Sequence, residues 1–455
     1  MQNKSTLSFY GGADSVTGAN FLLSSGDARI LIDCGLFQGG ASLEGQNYEP
    51  FPYDPSFIPT LLITHAHIDH IGRIPKLVHD GFRGEIISTE ATRALSVHLL
   101  HDALELLERD AAGRGIVPLY TAEDLARAES LWRGVPYETP LALQAGITAR
   151  FLDAGHILGS AMIEFSRAGK KFVATGDLGN DASDLVEHTT KIEDANFLVI
   201  ESVYGDKEHG DVSGRRKELE GIIEDTLARG GTLLIPAFST ERTQDLIYEI
   251  RTLMREKRVP SVPVFVDSPL ASRITEVFLS CPSYFKKEIR DRLEKGENIF
   301  AFDELTFTSS LEESKNIVNR EGPKIIIAGS GMSNGGRVLA HEKTYLKDPR
   351  STLLIVGYQS AGSLGRRLLE GEKTVEIFGE KVKVRAKVVA LYAYSAHRDS
   401  SGLLDFISHT ANTLEKVFVV MGEPKAAAFL TQRVRDYLGK AAFSPKKGES
   451  VEIDF

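Results

Sequence analysis

Residues 64–72 read Thr-His-Ala-His-Ile-Asp-His-Ile-Gly. An apolar run at 61–63 precedes it and predicts a buried strand, while residues 73–80 after it predict a short helix. Four potential metal ligands therefore lie in one loop at the carboxyl end of a strand. Imidazole nitrogens and carboxylate oxygens are ligands that zinc accepts at about 2.0 to 2.2 Å.

The spacing of these four side chains predicts two neighbouring metal sites. His65 and His67 are two apart in an extended segment, so they reach one ion from the same side. Asp69 and His70, at the start of the helix, point away from that pair toward a second ion. The alternative is a loop that is rich in histidine by chance. With 12 His in 455 residues, the pattern arises by chance in about 4 of 10,000 such chains, so the metal interpretation is favoured.

Length and composition restrict the class of protein. A chain of 455 residues predicts two to three domains, and 42% hydrophobic with 25% charged residues is typical of soluble globular proteins. The sequence begins without the apolar core of a signal peptide, and no apolar run approaches the roughly 20 residues that span a bilayer. We therefore expect a cytoplasmic protein without a membrane segment.

Charge and cysteine usage exclude further classes. A net charge of −10 argues against a protein that coats nucleic acid by bulk charge, although a local basic channel is compatible with it. Cys34 and Cys281 are far apart, and neither belongs to a Cys-x-x-Cys pair. They predict neither a disulfide framework nor a cysteine zinc site, and we expect both to be small buried residues.

Polar ligand types recur where later strands are predicted to end. These are His156 after residues 149–153, Asp177 after 171–175 and Glu201 after 197–200. Each alone is weak evidence, because Gly-Asp after a strand is commonly a turn. Their value lies in repetition, since α/β proteins place active sites at the carboxyl ends of strands.

Two further strand ends carry polar residues. Asp33 ends a strand predicted at 28–34, where it either orients a metal ligand or forms a turn beside glycine. Near the other end of the chain, a long strand predicted at 382–391 leads to His397, with Asp399 or Ser400 as the cap of a helix. A helix predicted at 425–438 closes the fold.

Residues 204–382 differ from the rest, because short apolar strands alternate with amphipathic helices. The predicted strands are 232–235, 262–266, 324–328 and 351–356, and the helices include 214–228, 244–256 and 309–319. This alternation is typical of a parallel sheet with helices on both faces. Loops at 267–271, 329–337 and 357–367 connect these elements. Their backbone amides and guanidinium groups either hold phosphate or form ordinary connections facing water.

In combination, these motifs resemble the metallo-β-lactamase superfamily. The positions that match its ligand motifs in order are His65, His67, Asp69, His70, His156 and Asp177. The inserted region, with Glu201 before it and Ser395-Ala396-His397 after it, is similar to the β-CASP branch. Within that branch, the chain is most similar to RNA-processing nucleases, which include the pre-mRNA 3′-end endonuclease and its bacterial and archaeal relatives.

The resemblance implies an α/β protein with a divided first domain. Residues 1–205 and 382–455 would form an αββα metallo-β-lactamase sandwich. Residues 206–381 would form an inserted β-CASP domain, a parallel sheet with helices on both faces that acts as a lid. Homodimers occur in this family, and no feature of this sequence tests that state.

The resemblance also implies two zinc ions per chain. One would be held by His65, His67 and His156, the other by Asp69 and His70, with Asp177 bridging both. Manganese or iron is an alternative, although His67 stands where the iron flavoprotein relatives have glutamate.

The family completes the second site with a histidine in Val-His-Gly-Glu, whereas this chain has Met421 there. A thioether suits copper(I) better than zinc, so the second ion would be weakly held, bound by water instead, or absent.

The implied activity is hydrolysis of single-stranded RNA by a metal-activated water that leaves a 5′-phosphate, by endonuclease or 5′-exonuclease action. Asp69 and Asp177 would serve the metals and the attacking water, and His397, kept protonated by Glu201, would protonate the leaving oxygen. The residues expected to hold substrate phosphates are Ser330, Gly331, Ser333, Arg337, Arg366 and Arg367.

Three rival functions remain open at this point. A DNA nuclease of the same branch would use the same motifs. A hydrolase of a small ester or phosphodiester would use the same metals, but it would not need the long insert. A catalytically weakened scaffold in a processing complex is suggested by Met421 alone.

Overall fold

The computed structural model describes residues 4–181, 183–210, 214–360 and 362–455, so Ala361 of the third predicted loop lies outside the described residues. The chain forms two compact units. The first contains Met1–Asp181, Glu187–Glu208 and His397–Phe455, and the second contains Ala182–Val186 and His209–Ala396. The predicted limit at 381/382 precedes strand Lys387–Ala390, which pairs with Thr352–Ile355 inside the second unit.

The first unit is built on two sheets, each with seven strands among the described residues. In spatial order, the first sheet contains Ser450–Asp454, Lys4–Gly11, Asn20–Ser25, Ala28–Ile32, Thr60–Leu62, Glu85–Thr89 and Trp132–Val135. The second sheet contains Ala441–Phe443, Lys416–Val419, Phe197–Ile200, Lys170–Ala174, Ala161–Arg167, Thr148–Asp153 and Leu141–Ala142.

Side-chain alternation explains why these sheets stack. Successive residues of a strand point to opposite faces, so a strand buried on both faces reads as a continuous apolar run. In Phe197–Ile200, Phe197 and Val199 pack in the core between the sheets, together with Phe9 of the first sheet. Leu198 and Ile200 face the other way and pack in a second core with helix residues such as Phe406 and Leu430.

Helices cover the outer faces of this sandwich, which gives the αββα layers that the family resemblance implies. Glu90–Arg114 packs on the edge strands of the first sheet. Ser400–Thr410 and Pro424–Leu438 contribute Phe406 and Leu430 to the core outside the second sheet. The remaining helices of this unit include Ala41–Gly45, Ile68–Ile71, Ile74–His79 and Ala122–Ser130.

The second unit contains a sheet of six parallel strands among its described residues. Their spatial order is Leu305–Phe307, Val264–Asp267, Lys324–Ala328, Thr232–Pro236, Thr352–Ile355 and Lys387–Ala390. Helices alternate with these strands at Arg215–Ala228, Arg242–Arg255, Pro269–Ser280, Lys287–Glu294, Leu311–Asn319, Val338–Tyr345 and Leu364–Leu369. Thr374–Ile377 and Glu380–Lys383 form a separate antiparallel hairpin.

Two predictions about the late part of the chain are wrong. The long strand predicted at 382–391 is divided between the end of Glu380–Lys383 and Lys387–Ala390, since the two pieces pair with different partners. The backbone amides of Arg385 and Ala386 both donate to the carbonyl of Leu346 at the break. The helix at Pro424–Leu438 is not the last element, because two short strands follow it in the first unit.

The missed last strand, Ser450–Asp454, pairs antiparallel with Lys4–Gly11. Its signal is the alternation of Val451 and Ile453 with acidic residues, which is short but has the period of a strand. Of the cysteines, Cys34 is buried as predicted, whereas Cys281 is only partly buried. The described helices include none with the length and hydropathy that crossing a bilayer requires.

Candidate metal centre

The first group of site residues comes from the histidine loop. Strand Thr60–Leu62 ends three residues before His65, and His67 is the residue directly before helix Ile68–Ile71. The Nε2 atom of His65 lies 3.1 Å from Nδ1 of His67, and Nε2 of His156 lies 3.2 Å from that same Nδ1. Burial holds the pKa of His67 and His156 well below the ordinary value. These imidazoles are therefore neutral at pH 7, as metal ligands must be.

Asp177 joins these histidines from the end of another strand. It follows Lys170–Ala174 and is 3% exposed. One carboxylate oxygen, Oδ2, lies 3.4 Å from Nε2 of His65 and 3.5 Å from Nε2 of His156. One ligand atom from each of His65, His67, His156 and Asp177 lies within 4.8 Å of all the others. The structure therefore brings together the residues predicted for the first metal.

The second group is centred on His70, which is fully buried. Its Nδ1 lies 2.8 Å from Oδ2 of Asp33, and Asp33 also accepts hydrogen bonds from the amide and hydroxyl of Thr64, each at 2.8 Å. This arrangement protonates Nδ1 and leaves Nε2 as the ligand atom. Asp33 contacts His70, a predicted metal ligand, and its φ of 57° is also the left-handed backbone of a turn, so both interpretations left open for Asp33 are compatible with the structure.

The electrostatics of this group favour a cation. Burial alone would lower the pKa of His70, but the carboxylates of Asp177 and Asp33 raise it well above the ordinary value. Burial raises the pKa of Asp69, and the nearby charge of Asp177 adds to that effect. Both shifts reflect the negative charge of Asp177 in a buried site, and a divalent cation bound there would offset that charge.

Two buried atoms provide a direct test of whether a metal fits. Nε2 of His70 and Oδ1 of Asp177 lie 3.3 Å apart, yet each lacks a hydrogen-bond partner. Buried polar atoms without partners are costly unless something else satisfies them. A nitrogen and an oxygen that face each other in this way match the donor set of zinc. The residues present therefore fit a metal ion.

Met421 does not belong to this polar group. It follows strand Lys416–Val419, it is 2% exposed, and it packs in the apolar core with Phe21 and Val420. Its amide donates to the carbonyl of Gly12 at 2.6 Å. A Cβ on Gly12 would lie 2.5 Å from the Met421 sulfur, so the thioether lies against this glycine. The side chain acts as packing in this structure.

Glu201 and His397 form a buried pair beside Asp177. Glu201 is fully buried, and its Oε1 lies 3.1 Å from Nδ1 of His397 and accepts from the amide of Leu178 at 2.8 Å. Burial lowers the pKa of His397, but the Glu201 carboxylate outweighs it and raises the pKa to about 9. Nδ1 of His397 lies 3.9 Å from Oδ2 of Asp177. The pair therefore places a protonated imidazole next to the metal ligands.

The residues predicted to hold phosphate lie in the second unit, where most already have partners. Ser330, Gly331, Ser333 and Arg337 share the loop that follows Lys324–Ala328. The Arg337 guanidinium donates to the buried carboxylate of Asp267 at 2.7 Å, and the Ser333 hydroxyl donates to Glu342. Arg366 pairs with Glu370 and Arg367 with Glu372, each at 2.6 Å.

Sequence reasoning missed several residues that organise these sites. Thr64 supports Asp33, and Glu342 is a fully buried carboxyl under the glycine-rich loop. Nε2 of His341 donates to the Asp267 carboxylate at 2.7 Å. The signal for Asp267 was its position at the end of strand Val264–Asp267. His341 and Glu342 lie on a helix, where one sequence gives no sign of a buried polar role.

Comparison with protein families identifies the class to which this fold and site belong. Residues 16–196 match the metallo-beta-lactamase superfamily, residues 243–368 the Beta-Casp domain, and residues 381–445 the Zn-dependent metallo-hydrolase RNA specificity domain. The chain therefore belongs to the metallo-beta-lactamase superfamily, in its Beta-Casp branch. The family resemblance and the predicted fold class are confirmed.

Individual proteins and a solved structure that are similar to this chain include a ribonuclease and a transcription termination factor. Ribonuclease TTHA0252 of Thermus thermophilus is 37% identical over 398 residues, covering 88% of this chain and 89% of that protein. Transcription termination factor FttA of Methanosarcina mazei is 31% identical over 440 residues, covering 93% and 68%. A crystal structure of a protein of unknown function from Enterococcus faecalis matches with a TM-score of 0.58 at 12% identity, covering 99% of this chain and 100% of that one. This last likeness supports the fold alone.

Proposed function

We propose that this chain is a zinc-dependent ribonuclease that hydrolyses phosphodiester bonds of single-stranded RNA in RNA processing or decay. The observation that carries the proposal is the convergence of three histidines on Asp177, with the Glu201 and His397 pair beside it. A relative named as a ribonuclease and the match to an RNA specificity domain support RNA as the substrate.

In this proposal, two divalent ions are held by two sets of side chains. His65, His67 and His156 would hold the first, Asp69 and His70 would hold the second, and Asp177 would serve both. When bound, such ions lower the pKa of a water molecule toward neutrality and stabilise the charge that builds on the phosphate. Asp33 fixes the orientation of His70 through Nδ1.

The chain's own residues supply the proton transfers. Asp177 Oδ2 lies within reach of the first group and of His397, so it is placed to orient the attacking water. His397, protonated because Glu201 accepts from Nδ1, would donate a proton to the leaving 3′-oxygen through its other ring nitrogen. Glu201 keeps its own position through the amides of Leu178 and Val203.

Substrate contacts outside this centre are proposed on composition and position. The glycine-rich loop would present hydroxyls and amides to neighbouring phosphates through Ser330, Gly331, Ser333 and Arg337. Helix Leu364–Leu369 would add Arg366 and Arg367. The Gly365 amide donates to the carbonyl of Met332 at 3.3 Å, so that helix begins beside the glycine-rich loop.

We further propose a cytoplasmic protein with the domain limits 1–205, 206–381 and 382–455. Size-exclusion chromatography would test for a homodimer.

A second candidate function is that of a weakened enzyme acting as a scaffold, and Met421 favours it. If the position needs an imidazole for the second ion, the native protein would bind one metal tightly and cut slowly. The variant Met421→His separates an enzyme with weakened metal binding from a scaffold without catalysis. A weakened enzyme gains zinc and activity, whereas a scaffold gains little activity.

The test of the proposal is cleavage of a 5′-labelled single-stranded RNA beside DNA of the same sequence and the matching RNA duplex. We expect the single-stranded RNA to be cut fastest, with products that carry a 5′-phosphate and are ligated without further treatment. Equal cutting of the DNA would replace the proposal with a less selective nuclease. Failure on all three substrates, with zinc bound, would reject nuclease function.

A further inference from the structure

We infer that Arg398 is a positioning residue that aligns His397 with Glu201 and Asp177 for proton transfer. This inference rests on the proposed function, in which His397 protonates the leaving oxygen. The two segments that must stay aligned are residues 177–181, which carry Asp177, and residues 397–399. They come from distant parts of the sequence, and His397 forms an isolated backbone bridge with Gly179.

Arg398 joins these two segments at three points. Its amide donates to the carbonyl of Leu178 at 2.9 Å. Its Nε donates to the carbonyl of Gly179 at 2.7 Å, and its Nη2 pairs with the carboxylate of Asp181. The side chain is only 11% exposed, and its guanidinium lies 5.8 Å from the centre of the Phe406 ring. The arginine is therefore held along its full length.

The geometry of the acid depends on the same peptide groups. The amide of Leu178 donates to Oε1 of Glu201 at 2.8 Å, and Nδ1 of His397 lies 3.1 Å from that same oxygen. Residues 178 and 179 thus hold Glu201 on one side and Arg398 on the other. A shift of the segment that carries His397 would change its distances to both Glu201 and Asp177.

Gly179 extends this alignment to the metal ligands. Its amide donates to the carbonyl of Ala154 at 2.8 Å, two residues before His156. A Cβ on Gly179 would lie 1.9 Å from the Gly155 carbonyl oxygen, so only glycine allows this close packing. Arg398 therefore donates to the carbonyl of Gly179, and the amide of this same residue binds the loop that carries His156.

The guanidinium has properties that lysine cannot reproduce. It donates at once to a backbone carbonyl through Nε and to a carboxylate through Nη2, in a fixed planar arrangement. Asp181 is itself restrained, because its Oδ1 accepts from the amide of Thr189 at 2.9 Å. Arg398→Lys should therefore restore the charge without restoring the alignment.

The experiment compares two substrates with different leaving groups. The ribose 3′-oxygen needs a proton to leave, whereas nitrophenolate leaves without one, so only RNA cleavage depends on the acid. For Arg398→Ala we expect kcat on RNA to fall about 10 to 100-fold, the range for residues that orient a reacting group. We expect KM on RNA and the hydrolysis of bis(p-nitrophenyl) phosphate to change by less than about twofold. His397→Ala should show the same selectivity with a larger loss.

Arg435 offers a matched control in the same unit. Its guanidinium also donates to a backbone carbonyl, that of Ala442 at 3.0 Å, and lies 5.9 Å from the centre of the Phe443 ring. Arg435→Ala removes a guanidinium hydrogen bond to a carbonyl and a contact with an aromatic ring away from His397. It should leave both substrates unaffected, and bound zinc should be equal in all variants.

Equal losses on both substrates, or no loss on RNA, would overturn the inference. A native protein that cleaves neither substrate would instead reject the proposed function. In that case, the alignment is still measured by NMR of protein labelled with ¹⁵N-histidine. The Nδ1 proton signal of His397 should move in Arg398→Ala and stay in Arg435→Ala. An unchanged signal in Arg398→Ala would contradict the inference without reference to activity.

Discussion

The histidine centre of the first unit and the glycine-rich loop of the second were both predicted from the residue types that follow strands, but their side chains are in different states. In the centre, Nε2 of His70 and Oδ1 of Asp177 are buried without hydrogen-bond partners. In the loop, the predicted guanidinium of Arg337 already pairs with Asp267. The metal centre therefore keeps buried ligand atoms that a metal ion could satisfy. The arginine of the loop is instead already neutralised by a carboxylate of the same fold.

The two regions also differ in how their buried charges are balanced. In the centre, the carboxylates of Asp177 and Asp33 outweigh the effect of burial and raise the pKa of His70 well above the ordinary value. In the loop, hydrogen bonds from His341, Ser314, Thr308 and Arg337 outweigh the effect of burial and lower the pKa of Asp267. In the loop, the buried carboxylate is therefore held by partners from the chain itself, whereas the centre keeps two buried ligand-type atoms without hydrogen-bond partners.

His397→Ala should cause a large loss of activity without loss of metal. Loss of a positioned acid lowers kcat on RNA by about 10² to 10⁴-fold. Bound zinc should stay at the native level, since His397 is not among the proposed ligands. Steady-state kinetics with metal analysis on the same samples would check both. A native rate in this variant would remove His397 from the chemistry.

Asp33→Asn should weaken the metal centre without touching the metal. Loss of a carboxylate that orients a ligating histidine costs about 10 to 100-fold in metal affinity, and Asp33 lies 2.8 Å from Nδ1 of His70. Competition with a zinc chelator measures this change. Asp27→Asn, at an exposed position of the same unit, provides the control. Equal affinity in the two variants would show that Asp33 acts only in the turn.

Glu342→Gln examines the loop through the pH dependence of stability. Burial raises the pKa of Glu342 to about 8, so the folded carboxyl is neutral where the unfolded one is charged. Its contribution is complete below the unfolded pKa and is lost as pH rises through about 8. The variant stays neutral, so above pH 8 it should exceed the native protein in stability by up to a few kcal/mol, on the order expected for such a shift.

Amide hydrogen exchange of strand Lys324–Ala328 at pH 6 and pH 9 reports this local stability. Glu312→Gln, at an exposed position of the same unit, should show the native pH dependence. If Glu342→Gln keeps the native loss of protection between these pH values, the buried carboxyl is not its cause.

The smallest effect is expected from Arg367→Ala. Its pair with Glu372 is more than a third exposed on both sides, and such pairs contribute about 0 to 1 kcal/mol. Thermal unfolding should therefore hardly change. If Arg367 contacts phosphate, KM for RNA rises by about two to fivefold, the range of a single screened charge contact. Arg350→Ala, which breaks the pair with Asp348 in the same unit, should leave KM unchanged.

The sequence predicted the parts of this molecule that depend on local pattern. Apolar runs located strands such as Phe197–Ile200 and Lys324–Ala328, and the residues after such strands located the centre. Parallel strands bring their carboxyl ends to one edge of a sheet, so Asp177 and Glu201 meet although they are 24 positions apart. Asp399 caps helix Ser400–Thr410 by accepting from Gly402, which was one of the two predicted caps.

What the sequence could not predict depends on partners distant along the chain. Residues 382–391 read as one strand, and only their two different pairings divide them. Arg337 reads as a free cation until Asp267, 70 residues away, is placed beside it. The position of Met421 suggested a ligand site, but only the packed core shows its sulfur against Gly12.

A zinc titration would show directly whether the centre around Asp177 is that of a metal-dependent ribonuclease. Protein stripped with a chelator would be titrated with zinc, and bound zinc and RNA cleavage would be measured at each step. The native protein, Asp177→Ala and Met421→His would be compared. We predict that native cleavage returns in step with bound zinc and that Asp177→Ala stays inactive; more bound zinc and faster cleavage in Met421→His would instead support a native enzyme with a weakened second site. Cleavage by the stripped native protein, or by Asp177→Ala at the native rate, would contradict a metal-dependent ribonuclease centred on Asp177.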